Sequence, residues 1–319
     1  MTQMTRAFVF PGQGSQYPGM GKELFENFPV AREVFEEVDE ALQQNLSKMI
    51  FEGEESELNL TENTQPALMA VSIAVMRILE KDMGVILGQD KNTAFVAGHS
   101  LGEYSALTAA GTLSLSDTAR LLRIRGQAMQ KAVPVGIGAM AAILGLDYDD
   151  VAAIAAAASN AEICAAANDN AYGQVVVSGH KQAVEKAVAM ASEKGAKRAV
   201  MLPVSAPFHC ALMQPAADAM AEALAEVGMN APAVPLIANI TASAVTDPAE
   251  IKDLLVRQVT GTVRWRESVL YMKDKGVTAL VELGAGKVLA GLAKRIDRDM
   301  GATAIGSPAD LEAFADSNL

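Results

Sequence analysis

Residues Thr93 to Gly111 read TAFVAGHSLGEYSALTAAG. Thr93–Ala97 is a short apolar run and predicts a buried strand. Leu101–Ala110 predicts a helix that stops at Gly111, a common C-terminal residue. Between them, Gly98-His99-Ser100-Leu101-Gly102 compresses the change from strand to helix into one sharp turn. Glycines on both sides of Ser100 remove side chains that would clash there. A buried strand feeding directly into a helix is the building unit of a parallel α/β sheet.

The same alternation extends outward. Arg6–Phe10 predicts a strand halted by Pro11-Gly12, and Lys22–Phe51 and Pro66–Met83 predict helices. Ser114 and Asp117 form a capping signature for a helix to about Ala132. Beyond the middle of the chain, Leu212–Val227 and Ile251–Met272 read as helix, and Val234–Asn239 and Val277–Leu283 as strand. A last helix covers Val288–Asp297. The middle itself differs. Gly138–Leu146, Glu162–Ala167, Gln174–Val177 and Lys197–Val204 read as strands, with helices at Asp149–Ala158 and Lys181–Lys194. That order is βαββαβ, a ferredoxin-like unit. The expected fold is therefore α/β: a large α/β-hydrolase-like parallel-sheet domain at 1–133 and 206–319, with a ferredoxin-like domain inserted at 134–205.

The chain of 319 residues is half hydrophobic and one fifth charged, which excludes disorder. Its net charge of −12, with no dense Lys/Arg run, argues against nucleic acid. Cys164 and Cys210 lie too far apart for a CxxC pair, so neither a disulfide framework nor a zinc site is expected, and a reducing cytoplasm fits. No segment reads as a signal peptide or a membrane span, and no metal is expected.

Ser100, on its turn, is a candidate nucleophile, against the plainer reading of a tight turn with an idle serine. It would need a base, and there are only three histidines. His99 is adjacent and should point away; His180 reads as a turn before a helix. His209, in the irregular segment Ser205–Cys210, is the candidate that remains. No Asp or Glu lies between Lys194 and Ala217, so either a distant carboxylate such as Glu282 or a backbone carbonyl would orient the imidazole. The loop Pro11-Gly12-Gln13-Gly14-Ser15-Gln16 fails as a dinucleotide or P-loop motif. It could instead supply an N–H to an oxyanion hole, beside the N–H of Leu101. Arg125 lies on the apolar face of its helix, so a buried guanidinium needs a partner. Spacing leaves an internal carboxylate and a ligand anion equally open.

Several of these residues sit in longer motifs. They are Phe10-Pro-Gly-Gln-Gly-Ser-Gln16, Gly98-His-Ser-Leu-Gly-Glu-Tyr104, Arg123-Ile-Arg-Gly126 and Ala206-Pro-Phe-His209. With them go Asn168-Asp-Asn170, Gln258 with Val263-Arg-Trp265, and Glu282-Leu-Gly-Ala-Gly-Lys-Val-Leu289. Almost end to end, the chain resembles the malonyl-CoA:acyl carrier protein transacylases and the acyltransferase domains of polyketide and fatty acid synthases. Two departures lie beside the motifs: Thr262 and Ala285 stand where the family often has proline.

The resemblance implies a two-step transfer of malonyl from malonyl-CoA to the phosphopantetheine thiol of acyl carrier protein, for fatty acid synthesis. Ser100 would carry the acyl group and His209 would be its base. Gln13 and Leu101 would hold the oxyanion, and Arg125 the malonyl carboxylate. A backbone carbonyl at Gln258 would orient His209. Asn168 and Phe208 would contact substrate, and the inserted unit would roof the site. No cofactor is implied, and a cytoplasmic monomer is expected. The family's carrier proteins are acidic, so docking would need a local basic patch. The choices are Lys287, Lys294, Arg295 and Arg298, or Lys194, Lys197 and Arg198. Two rival readings are a serine hydrolase or thioesterase on a related scaffold, and a non-catalytic binding protein. The first would use water as acceptor and usually a carboxylate behind the histidine.

Overall fold

A computed structural model describes residues 5–204 and 206–316. Residue 205, where the expected insertion ends, and residues 1–4 and 317–319 of the expected large domain lie outside the described residues. The strands are β1 (Arg6–Phe10), β2 (Thr93–Gly98), β3 (Gly138–Leu144), β4 (Cys164–Ala171), β5 (Gln174–His180), β6 (Arg198–Met201), β7 (Leu236–Ala238), β8 (Ser243–Val245), β9 (Ala279–Leu283) and β10 (Gly301–Ile305). They form two sheets.

The larger sheet has the order β10-β9-β1-β2-β7-β8 and is parallel except for β8. β1 lies between β9 and β2, and all five of its residues are buried, which is why its sequence is an unbroken apolar run. Phe10 pairs with Gly98, so the loops after β1 and β2 leave side by side from the carboxyl edge of the sheet. Ligands of α/β sheets bind along that edge. The smaller sheet, β4-β5-β3-β6, is antiparallel, with helices Tyr148–Ser159 and Lys181–Glu193. Its strand order is the ferredoxin-like one.

Four differences from the sequence reading have local causes. The helix expected over Lys22–Phe51 is three helices, Lys22–Asn27, Pro29–Leu42 and Leu46–Glu52. Pro29 opens the second, a left-handed Gln43 ends it, and the Asn45 side chain caps the third. The helix expected from Pro66 starts at Thr61, because a proline near a helix start removes only one backbone hydrogen bond. Ile251–Met272 divides into Pro248–Gln258 and Trp265–Asp274, which leaves Val259–Arg264 irregular. β4 runs through Asn168-Asp169-Asn170, because Asp169 N–H donates to the Val263 carbonyl (2.9 Å) and Val263 N–H to the Ala167 carbonyl (2.9 Å). β8 and β10 are too short and mixed in composition to register as apolar runs.

The helices Thr61–Met83 and Leu115–Lys131 cross at Gly126. A Cβ there would lie 2.6 Å from Glu62 Cα and 2.7 Å from the Thr61 carbonyl oxygen. Both are backbone atoms and cannot move aside alone. Gly126→Ala should therefore cost about 1–3 kcal/mol of stability, read as a lower denaturation midpoint. An unchanged midpoint would show that the crossing is loose.

Candidate active site

The turn after β2 is held by close backbone approach. A Cβ on Gly98 would lie 1.9 Å from the Gly102 carbonyl, and a Cβ on Gly102 would lie 2.2 Å from the Phe10 carbonyl oxygen. Only glycine fits at either position. Ser100, between them, has φ of 54°, a left-handed conformation that a serine rarely adopts unless its surroundings impose it. The Asn239 side chain imposes it. Its Oδ1 accepts from the Ser100 N–H (2.8 Å) and its Nδ2 donates to the Gly98 carbonyl (2.6 Å).

His209 is buried and also left-handed, at φ 58°. Its Nε2 is 2.7 Å from Ser100 Oγ, and its Nδ1 donates to the Gln258 carbonyl at 2.9 Å. That carbonyl is free because the helix Pro248–Gln258 ends there. With Nδ1–H donating, Nε2 is the acceptor and can take the serine proton. Burial, with the Arg125 charge adding to it, pushes the His209 imidazole down to about 3, so it stays neutral at physiological pH. Glu282 is not its partner. Its carboxylate accepts from the Ala290 N–H (2.8 Å) at the start of the helix Val288–Ile296. His180 accepts the Ile163 N–H on Nδ1, a structural bond inside the small sheet unit.

Arg125 is 1% exposed, as its spacing predicts. Nη1 donates to Gln65 Oε1 (2.9 Å), and Nη2 donates to Gln258 Oε1 (2.9 Å) and Ser100 Oγ (3.1 Å). The guanidinium also sits 5.7 Å from the Tyr104 ring centre. No ion pair among the described residues includes Arg125. Of the two partners open to it, the internal carboxylate is therefore absent from its contacts.

These groups open into one cavity. Its floor is Gln13, His99, Ser100, Leu101 and Arg125, and the smaller sheet and the chain just after it cover it with Met140, Asn168, Asn170, Val176 and Leu202. Phe208, packed against Met140 and Val176, narrows it beside the base. The backbone N–H groups of Gln13 and Leu101 donate to nothing among the described residues, which leaves both available at the cavity wall. His99 shares this wall rather than pointing away from it. Its Nε2 is bonded to Asn170 Oδ1 (2.8 Å), not to Ser100. Of the two basic clusters, Lys194 is engaged with Asp150. Lys287, Lys294, Arg295 and Arg298 are exposed along the helix Val288–Ile296 and its ends, with Lys294 donating to the Met300 carbonyl (2.6 Å) and Arg295 to Gln174 Oε1 (2.5 Å). No cluster of potential metal ligands occurs among the described residues.

Four site residues escape sequence reasoning: Gln65, Glu103, Asn239 and the side chain of Gln258. Glu103 had a signal, since it is a lone acid in the apolar stretch Leu101–Ala110. The amides had none.

A sequence model described as the acyl transferase domain matches residues 7–304. The malonyl CoA-acyl carrier protein transacylase of Salmonella typhimurium is 47% identical, over 98% of this chain and 99% of its own. An acyl-carrier-protein-S-malonyltransferase structure from Bartonella henselae superposes with a TM-score of 0.95 at 58% identity, covering 98% of this chain and 99% of that one. A malonyl-transacylase in complex with its type II PKS acyl-carrier protein superposes at 0.94 and 41% identity, over 98% and 100%.

If His209 takes the Ser100 proton, its neutrality sets the pH behaviour of acyl-group uptake. The rate at which Ser100 is acylated should stay flat as pH falls through about 6.5, where an ordinary histidine gains its proton. It should decline only well below that, toward the depressed value of His209. Stopped-flow or quench mass measurements from mildly alkaline to acidic pH would show this. An acid limb centred on the ordinary histidine value would contradict it.

Proposed function

The chain belongs to the acyl transferase family and transfers malonyl groups from malonyl-CoA to acyl carrier protein in fatty acid synthesis; we propose that it does so through a malonyl ester on Ser100. The observation that carries this reading is the buried Arg125 guanidinium, which forms no ion pair among the described residues and donates to Ser100 Oγ at 3.1 Å. A cation in that place selects an acyl group with a carboxylate at its far end.

In the first half-reaction, His209 Nε2 takes the Ser100 proton as Oγ attacks the thioester carbonyl. The N–H groups of Gln13 and Leu101 receive the negative charge that develops on the carbonyl oxygen. The Gln258 carbonyl stabilises the imidazolium through Nδ1–H, and Nε2–H protonates the departing CoA sulfur. In the second half, the pantetheine thiol of acyl carrier protein gives its proton to His209 and attacks the ester. Ser100 Oγ leaves and takes the proton back. Acyl transfer between thiols needs no redox step and no Lewis acid, so the reaction asks for no cofactor.

Gln65 and Gln258 hold the guanidinium from one side. The N–H now on Ser100 Oγ is released when that oxygen is acylated. It then pairs with the malonyl carboxylate two carbons further on. Asn168 and Phe208 shape the slot that holds the acyl group. A serine hydrolase would admit water to the acyl-enzyme; the apolar cover of Met140, Val176, Leu202 and Phe208 opposes that. One chain carries nucleophile, base and arginine, which supports action as a monomer. No described helix is long and apolar enough to cross a membrane. We place the enzyme in the cytoplasm on its two free cysteines, Cys164 and Cys210, which persist in a reducing compartment.

Intact-mass spectrometry after mixing with malonyl-CoA should show one malonyl adduct that acyl carrier protein discharges. Ser100→Ala should show none, and His209→Ala should form it about 10²–10⁴-fold more slowly. An adduct on Ser100→Ala would remove Ser100 from its role. In a separate series, Arg125→Ala should lower malonyl transfer by about 10²–10³-fold while acetyl transfer is kept or rises. Arg125→Lys should recover only part of the loss, because it keeps the charge and loses the fork. Equal falls for both acyl groups would make Arg125 a structural residue.

A further inference from the structure

Glu103 lies in the first turn of the helix after the nucleophile and is 1% exposed. No step of the transfer uses it. Its Oε2 accepts two hydrogen bonds, from the Asn239 backbone N–H (3.0 Å) and from Gln258 Nε2 (2.8 Å). Each partner passes the connection on to a working atom. Asn239 holds the Ser100 N–H and the Gly98 carbonyl through its side chain. Gln258 Nε2 also donates to the Ser100 carbonyl (3.0 Å), and Gln258 Oε1 accepts from Arg125 Nη2 (2.9 Å).

The Gln258 amide could in principle sit either way round, since its two ends have nearly the same shape. Three acceptors converge on its nitrogen end: the Glu103 carboxyl (2.8 Å), the Ser100 carbonyl (3.0 Å) and, at the limit of a hydrogen bond, Asn239 Oδ1 (3.5 Å). That convergence aims the oxygen end at Arg125. With Glu103 absent, the shortest of these bonds is lost and the hold on the nitrogen end weakens; a turned amide would set N–H donors against the guanidinium. The Arg125 fork would then lose one of the two side-chain carbonyls that direct it.

We propose that Glu103 is a positioning residue for acyl-group selection: by orienting the Gln258 amide, it sets the direction in which Arg125 presents its fork to the acyl carboxylate. This rests on the roles of Ser100 and Arg125 proposed above. The carboxyl does not need its charge for this task. It needs an acceptor oxygen at the position of Oε2, and a glutamine at 103 can supply one.

The test compares wild type, Glu103→Gln, Glu103→Asp and Glu103→Met. Each is mixed separately with malonyl-CoA and acetyl-CoA, and the rate of Ser100 acylation is read by intact mass. Glu103→Met removes the acceptor, and Glu103→Asp withdraws it by one methylene, which provides a second variant if the first fails to fold. Both should lower the malonyl-to-acetyl rate ratio by about tenfold or more, the worth of one hydrogen bond to a charged-group network. Glu103→Gln should stay within about threefold of the wild-type ratio. Equal falls in both acyl rates, or an unchanged ratio, in the folded Asp or Met variant would overturn the proposal. So would a Gln variant as unselective as Met, since charge rather than amide orientation would then be at work. A wild-type enzyme that forms no adduct on Ser100 would overturn the reading of the nucleophile first, and this proposal with it.

Discussion

A guanidinium sealed from water has to be surrounded by acceptors, and those around Arg125 are neutral. Gln65 comes from the second turn of the helix Thr61–Met83, Gln258 is the last residue of Pro248–Gln258, and Ser100 comes from the turn after β2. Leaving a buried charge without partners costs several kcal/mol, so these three elements have to arrive together. The crossing at Gly126, one residue from Arg125, lets the first of them come close enough. The result is a dry pocket with a surplus of positive charge next to the serine. That surplus bears on its neighbours. It adds to burial in keeping His209 neutral. It works against burial at Glu103, whose carboxyl is nonetheless pushed up to about 7.

The same surplus gives a physical reason for a carbonyl, rather than a carboxylate, behind His209. A carboxylate at that point would raise the imidazole and offer Arg125 a permanent partner. The Gln258 carbonyl orients the ring through Nδ1 and adds no net charge. Arg125 is then left without an ion-pair partner among the described residues, as the proposed role toward the acyl carboxylate requires. One residue thus serves three groups: its carbonyl holds the His209 imidazole, its Oε1 the Arg125 guanidinium, and its Nε2 the Ser100 carbonyl.

The cover over the site and the segment that carries this residue are tied together. β4 bridges to Val263, Thr262 Oγ1 donates to the Ala166 carbonyl (2.7 Å), and Asp169 pairs with Arg266. The Thr262 hydroxyl makes one of these ties. A displacement of the inserted sheet would pull on Val259–Arg264, and hence on the end of the helix whose last carbonyl meets His209. The cavity wall from the smaller sheet and the helix-end carbonyl that meets His209 are linked through a few such bonds.

The local pattern of the chain determined a good deal by itself. Runs such as Arg6–Phe10 and Thr93–Ala97 are buried on both faces, and that leaves an unbroken apolar signal. Ser100 was legible because close backbone approach tolerates only glycine at 98 and 102. Arg125 was legible as buried because helical spacing places it among leucines and alanines. His209 emerged because only three histidines exist. What the spacing could not decide was who meets whom. Arg125 was open between an internal acid and a ligand anion until the fold brought glutamine amides to it and no carboxylate. The partner of His209 was open between Glu282 and a carbonyl until Glu282 proved to cap a helix. A backbone carbonyl leaves no mark on composition, and a glutamine reads alike whether it is solvated or buried against a guanidinium. Periodicity reports which face of an element is covered. Which polar atoms meet beneath that cover depends on contacts between residues 25 to 158 positions apart, and only the tertiary structure makes them.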